Sequence, residues 1–154
     1  MASASDAITI RPATAGDAPV LCELLRQLGY PATDSEIPAR LEAVSNFPCA
    51  AAFVATNGYG EVIGLATTHI FPSIHDNAPV AWLTSLVVLE DVRGAGVGSA
   101  LVRHGEKWAV QNGAKRISVT SALHRGRTHE FYLNRDYEQT GLRFSKKLGP
   151  NTAT

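Results

Sequence analysis

The sequence predicts an α/β fold in which one mixed central sheet carries helices on both faces. Three observations support this. Apolar residues follow a helical period through residues 14–46, apart from a break at Gly29. From residue 50 the period shortens to that of strands. The nearly continuous apolar run 80–89, suited to a strand buried on both faces, leads through a glycine-rich turn into another helix and strand. The expected order is β-α-α-β-β-β-α-β-α-β-β, an antiparallel meander running into a βαβ unit. At 154 residues, with 45% apolar and 18% charged residues, the chain has the size and composition of one globular domain. That domain is expected over residues 8–148, with a disordered lead at 1–7 and a tail at 149–154.

Residues 8–12 alternate apolar and polar and end at Pro12, as a short strand would. Thr14 is placed to cap a helix, with Asp17 near its positive end. Val20, Leu21, Leu24, Leu25 and Leu28 share one face of that helix, and Gly29 supplies its stop. Asp34 or Ser35 would cap a second helix running to Asn46. Taking Ser35 as the cap puts Pro38 in the first turn, where its missing N–H breaks no helical bond. Residues 50–56 and 62–71 read as a hairpin about Asn57-Gly58-Tyr59-Gly60. A helix over 98–112 stops at Gly113, and 116–121 forms a strand. A short helix over 124–134 follows, and a closing hairpin pairs 137–139 with 142–147.

Composition excludes several classes. No apolar run approaches the ~18 residues of a membrane span, and the first residues lack a secretory pattern. The two cysteines, Cys22 and Cys49, form no disulfide framework or zinc pattern, which fits a reducing cytoplasm. Cys22 lies among leucines and reads as a small buried hydrophobe. The net charge is zero, which argues against a nucleic-acid partner. The distribution is uneven, however: residues 1–92 hold three Lys/Arg against ten Asp/Glu, and residues 93–154 hold eleven against four. A basic second half suits a polyanionic ligand.

The chemical signal lies at Arg93-Gly94-Ala95-Gly96-Val97-Gly98-Ser99, between the buried strand and its helix. Glycines there let several backbone N–H groups turn toward one point, which with the helix's first free donors makes an anion site. Arg93 adds a positive charge at its mouth. The string is not a Walker loop, which needs G-x-x-x-x-G-K-S/T. It also lacks the third glycine of G-x-G-x-x-G, since Ser99 stands there, and no acidic residue follows at the expected distance. It does resemble the acetyl-CoA signature Q/R-x-x-G-x-G/A of the GNAT superfamily of N-acetyltransferases. The resemblance implies a GNAT fold over roughly residues 8–148 and acetyl-CoA as acyl donor, with no metal. It also implies that Arg93, Gly94, Ala95, Gly96, Val97, Gly98 and Ser99 hold the pyrophosphate, while Leu86, Val87 and Val88 line the pantetheine arm.

A second string, from Arg125 to Tyr137, resembles the family pattern R-x-x-A-H-x-F-Y-x-x-x-G-F/Y. Arg125, His129, Phe131, Tyr132 and Tyr137 fall on matching positions, while Thr128 and Asp136 depart from it. In the family this tyrosine lies near the thioester sulfur, so Tyr132 is the expected catalytic acid. Its phenol, ionising at about 10, would hydrogen-bond a thiolate whose thiol ionises at about 8.5, and donate its proton where that thiolate is poorly solvated. Arg125 would touch the cofactor, and a backbone N–H, Val88's by resemblance, would stabilise the carbonyl oxygen. His129 would serve a structural hydrogen bond. If the position of Asp136 needs positive φ, Asp tolerates it better than most residues.

The acceptor would be a primary amine of a small molecule or protein. Glu23 and Glu36, in the first two helices, would make an acidic cleft for a cationic amine, and His69 and His75 flank a loop that could face it. A non-catalytic acyl-CoA sensor and a nucleotide-binding module are the alternatives. A homodimer is plausible by family habit, and neither nucleic acid nor membrane is an expected partner.

Overall fold

The computed structural model describes residues 7–149. The expected lead and tail fall at residues 1–6 and 150–154, outside the described residues. The chain forms two compact units, the first ending at Val119 and the second starting at Thr120.

The first unit contains β1 (Thr9–Pro12), α1 (Ala18–Leu28), α2 (Ile37–Asn46), β2 (Ala50–Thr56), β3 (Val62–Phe71), β4 (Val80–Val88), α3 (Val97–Gln111) and β5 (Arg116–Val119). The sheet order is β1-β2-β3-β4-β5. Neighbours are antiparallel except β4 and β5, which are parallel. This is the mixed α/β sheet expected.

Each helix has a local cause. Asp17 ends a 3-10 turn (Ala15–Asp17) before α1. Its carboxylate accepts the Thr14 N–H at 2.8 Å and two bonds from Arg11 at 2.7 and 2.9 Å. The Arg11 bond, reinforced by Thr14, holds this carboxyl below its usual range. Gly29, at φ 96°, closes α1 in the left-handed conformation. The cap of α2 is Glu36, one residue beyond the expected Ser35. The Glu36 side chain accepts the Thr33 N–H at 2.8 Å, which folds 34–36 into a turn and delays the helix. Pro38 still falls in the first turn, as its lack of an N–H requires.

α1 and α2 cover one face of the sheet, where Leu21, Leu24 and Ile37 pack with Val54, Leu65 and Val87. On the opposite face α3 comes unusually close. A Cβ added to Gly64 would lie 2.9 Å from Leu101 Cδ1 and 3.2 Å from both the Val87 carbonyl and Val97 Cγ1. One added to Gly105 would meet Thr68 Cγ2 at 3.2 Å. The two glycines seat the helix that follows the glycine-rich turn.

The second unit contains α4 (Gly126–Leu133). The expected closing hairpin is not there: residues 137–149 form no strand. Leu142, Phe144 and Leu148 alternate toward an apolar face but are 67%, 88% and 80% exposed. A lone two-stranded hairpin is marginal without a core to lie on, and here its apolar face has none.

Gly64→Ala is expected to destabilise the protein by about 1–3 kcal/mol through overpacking against backbone and two side chains. Gly141→Ala, with nothing within 4 Å of the added atom, should change stability by less than about 0.5 kcal/mol. Urea unfolding of both variants checks the difference.

Candidate active site

The site begins with a ladder that stops early. β5 pairs with β4 from Val80↔Arg116 to Leu83↔Val119 and no further. The next residue, Thr84, is the extra residue of a β-bulge, since Thr68 faces Leu83 while Thr67 faces Ser85. Residues 84–88 therefore pair with β3 alone.

One bond sets the phase of that open edge. The Leu89 N–H donates to the Ile63 carbonyl at 3.0 Å. Antiparallel neighbours alternate between bonded and non-bonded pairs. Leu89 and Val87 therefore bond toward β3, while Val88 and Leu86 direct their N–H and C=O groups away from it. The Val88 carbonyl accepts the Arg93 Nε–H at 3.1 Å. The Leu86 groups and the Val88 N–H have no recorded acceptor or donor among the described residues. Sequence reasoning grouped Leu86, Val87 and Val88 together. The structure divides them: Leu86 and Val88 present backbone to the edge, and Val87 packs its side chain into the core beside α1.

The glycine-rich turn follows at once. After a 3-10 turn at Glu90–Val92, Gly94 and Gly96 both adopt φ 85°, and Gly96 caps α3. L side chains rarely adopt this conformation, so glycine is required at both positions. The Ala100 N–H donates to the Gly96 carbonyl at 3.0 Å. The N–H groups of Val97 and Gly98, in the first turn, have no carbonyl one turn behind them to meet. Gly94, Ala95 and Gly96 are exposed, Gly98 and Ser99 half-buried, and Val97 buried as the helix's anchor. Arg93 is exposed and reaches back to Val88. Its Nη2 approaches Gln27 Oε1 at 3.5 Å, and the same oxygen accepts the Glu90 N–H at 3.0 Å. Gln27 of α1 thus braces the turn from behind.

A pocket of ≈ 100 Å³ lies under α1 and α2 against β2–β4. Leu21, Leu25, Ile37, Leu41 and Leu65 form its apolar walls, and Arg40, Thr67 and Ser85 are its polar members. The acidic cleft expected here is absent from this lining. Glu23 is held by Arg26 at 2.6 and 2.8 Å and by Gln27 at 2.7 Å, and the Arg26 bond lowers its carboxyl to about 2. Glu36 holds the Thr33 N–H and faces Arg40 at 3.6 Å. Both acids have partners within one turn of chain. Cys22 is half-buried, and its bond to Asp34 pushes its thiol up to about 11, the reverse of a reactive thiolate.

In the second unit, α4 carries Tyr132, which is 7% exposed, while Arg125 stands at the helix's N-terminal boundary. Burial pushes the Tyr132 phenol up to about 12. Its ring meets Phe131 at 5.2 Å, nearly perpendicular, and Tyr137 at 5.4 Å. Asp136 takes φ 63°, the one positive φ outside glycine among the described residues. It lets the Tyr137 N–H return to the Tyr132 carbonyl at 3.2 Å, which brings the two rings together. His129 Nε2 bonds the Ala122 carbonyl at 2.9 Å, the structural bond expected of it. Arg135 lies 3.6 Å over the Phe131 ring and donates to the Phe131 carbonyl at 2.7 Å. Among the described residues no cluster of three or more His, Cys, Asp or Glu could hold a metal. No helix there is long and apolar enough to cross a membrane.

Known proteins share this fold. The model of the acetyltransferase (GNAT) family matches residues 19–137. An aminoalkylphosphonate N-acetyltransferase of Salmonella typhimurium strain LT2 is 35% identical over 89 residues, 58% of this chain. The chain thus spans 58% of the length of that curated relative. Among solved structures, a protein of Agrobacterium tumefaciens strain C58 assigned to the acetyltransferases is 29% identical. It covers 91% of this chain and 99% of its own, with a TM-score of 0.81. The aminoglycoside N-acetyltransferase AAC(6')-Iy, solved with CoA, shares the fold at 22% identity and a TM-score of 0.79, over 92% of this chain and 95% of its own. These are proteins of the acyltransferase class. The chain belongs to the GNAT acetyltransferase family, which uses acetyl-CoA.

The Tyr132 phenol keeps its proton to higher pH in the folded protein than in the unfolded chain, where it ionises at about 10. Its stabilising effect is therefore whole below pH ~10 and lost as pH rises from ~10 toward about 12. In an ultraviolet titration of the chain's four tyrosines, the latest step is expected to vanish in Tyr132→Phe.

Proposed function

We propose that the protein transfers an acetyl group from acetyl-CoA to the primary amine of a small molecule, as a cytoplasmic N-acetyltransferase domain spanning residues 8–148. The open edge of β4, continuing into the two left-handed glycines that start α3, carries this reading. An extended pantetheine arm adds to such an edge as a strand would, bonding Leu86 and Val88. The diphosphate at the arm's end meets the N–H groups of residues 94–99 and the positive end of α3. Arg93, exposed beside them, adds charge, and Arg125 is assigned a further cofactor contact. When bound, acetyl-CoA supplies an activated carbonyl. Leu86 and Val88 orient the arm through the backbone groups they direct away from β3.

Tyr132 is assigned as the acid that hydrogen-bonds and protonates the leaving thiolate. A phenol held protonated by burial retains the proton that this step needs.

The pocket under α1 and α2 favours an acceptor with a short apolar body, and a negative group on it would compete with Glu36 for the Arg40 guanidinium. The relative acting on aminoalkylphosphonates accords with such an acceptor.

Calorimetry is expected to show coenzyme A binding to the wild type and, with equal affinity, to Tyr132→Phe. The variant's kcat should fall ~10²–10⁴-fold. A wild type that binds no coenzyme A would overturn the reading.

Arg40→Ala is expected to raise KM for aminomethylphosphonate by about tenfold, the loss of one charge-assisted bond, and to leave KM for butylamine unchanged. Steady-state kinetics with the two amines separates these outcomes.

A further inference from the structure

An amine is protonated near neutral pH and must lose a proton before it attacks. None of the residues assigned so far accepts it. On the face of the sheet that lines the pocket, beside the Thr84 bulge, three polar side chains make a small relay. Thr84 Oγ1 lies 3.2 Å from the Thr67 carbonyl, 2.7 Å from Thr67 Oγ1 and 3.2 Å from His69 Nδ1.

A threonine hydroxyl has one hydrogen. The Thr67 carbonyl has none to offer, so where all three contacts are hydrogen bonds Thr84 donates its hydrogen there. Toward Thr67 Oγ1 and His69 Nδ1 the Thr84 oxygen then only accepts. His69 therefore carries its hydrogen on Nδ1, and in the neutral ring the lone pair sits on Nε2. No partner of Nε2 is recorded among the described residues. The ring is half-buried on β3, one inward position along from Thr67, which lines the acceptor pocket.

The bulge gives this relay its place. Thr84 is the first residue of β4 without β5 beside it. An arm that bonds Val88 and then Leu86 runs back along the strand toward Thr84, so its thioester end arrives at the relay.

We infer that His69 is the general base of the transfer, with Thr84 the positioning residue that sets its tautomer; the inference rests on the function proposed above. Nε2 takes one proton from the ammonium group. The free amine then forms the N–C bond to the acetyl carbon as the C–S bond breaks. The nitrogen's second proton leaves to water as the adduct collapses, and the thiolate is protonated by the acid assigned above. One proton is released in the sum of the steps.

The test compares wild type, His69→Ala and His69→Gln with aminomethylphosphonate and butylamine as acceptors, together with calorimetry of coenzyme A. Both variants are expected to bind coenzyme A as the wild type does and to lose ~10²–10⁴-fold in kcat/KM for the amine. Added imidazole should restore part of the rate in His69→Ala, which leaves room for it, and none in His69→Gln. Rates within about threefold of wild type overturn the role of His69, as does a slow His69→Ala protein that binds coenzyme A and gains nothing from imidazole. A wild type that binds coenzyme A but acetylates neither amine overturns the proposed acceptor and the base together. Activity in the wild type with indifferent variants overturns the base alone.

Discussion

The early end of the β4–β5 ladder is the constraint on which the candidate site depends. A parallel neighbour running the full length of β4 would satisfy the backbone groups of Leu86 and Val88 and leave nothing to recognise an extended ligand. Because the ladder stops at Leu83↔Val119, those groups stay outside the sheet's own bonding. Leaving backbone polar groups unpaired costs stability where water is excluded. The fold limits that cost by leaving Leu86 and Val88 only half-buried and by letting Arg93 Nε bond the last carbonyl of β4. The bulge belongs to the same device. It adds Thr84 where the partner strand is lost, increases the local twist, and turns a hydroxyl toward Thr67 and His69.

The glycine-rich turn works only if the helix after it is rigidly placed. Gly64 and Gly105 provide that by removing the side chains that would hold α3 off the sheet. Val97, Leu101 and Val102 are consequently buried at 2%, 0% and 1% exposure. The helix's first donors then stand in a fixed direction just past the two residues at φ 85°. Packing on one face of the sheet thus fixes the direction of the helix's first donors at its edge, and Gln27 on the other face steadies the chain between them.

Much of this was legible in the sequence because it rests on local rules. Gly29 stops α1, Pro38 falls in the first turn of α2, and Asp136 holds positive φ, all as backbone preferences demand. The glycine string and the tyrosine string marked their segments by residue type. What was missed depends on pairing between distant residues. Nothing in residues 80–89 says where β5 will leave, so neither the bulge nor the alternation separating Val87 from Leu86 and Val88 could be read. In the sequence His69 stood out only as one of two histidines flanking a loop. Glu23 and Glu36 misled for a local reason: Arg26 and Arg40 lie three and four positions on, within reach across one helical turn. The alternation of Leu142 and Phe144 resembled a strand, but alternation records a surface that needs cover and does not supply the cover.

The raised ionisation of Tyr132 bears on how a phenol could serve a thiolate at all. In water a thiolate is too weak a base to take a proton from tyrosine, since a thiol ionises at about 8.5 and a phenol at about 10. Burial, which pushes this phenol up to about 12, widens the gap if it acts on the phenol alone. Desolvation acts on both anions, however, because it disfavours whichever form carries charge. A thiolate expelled into a site from which water is excluded rises in basicity as the phenolate does. The two energies then approach one another through the hydrogen bond they share. Under the function proposed above, burial keeps the tyrosine protonated before the bond breaks. Phe131 and Tyr137 hold the ring from two sides.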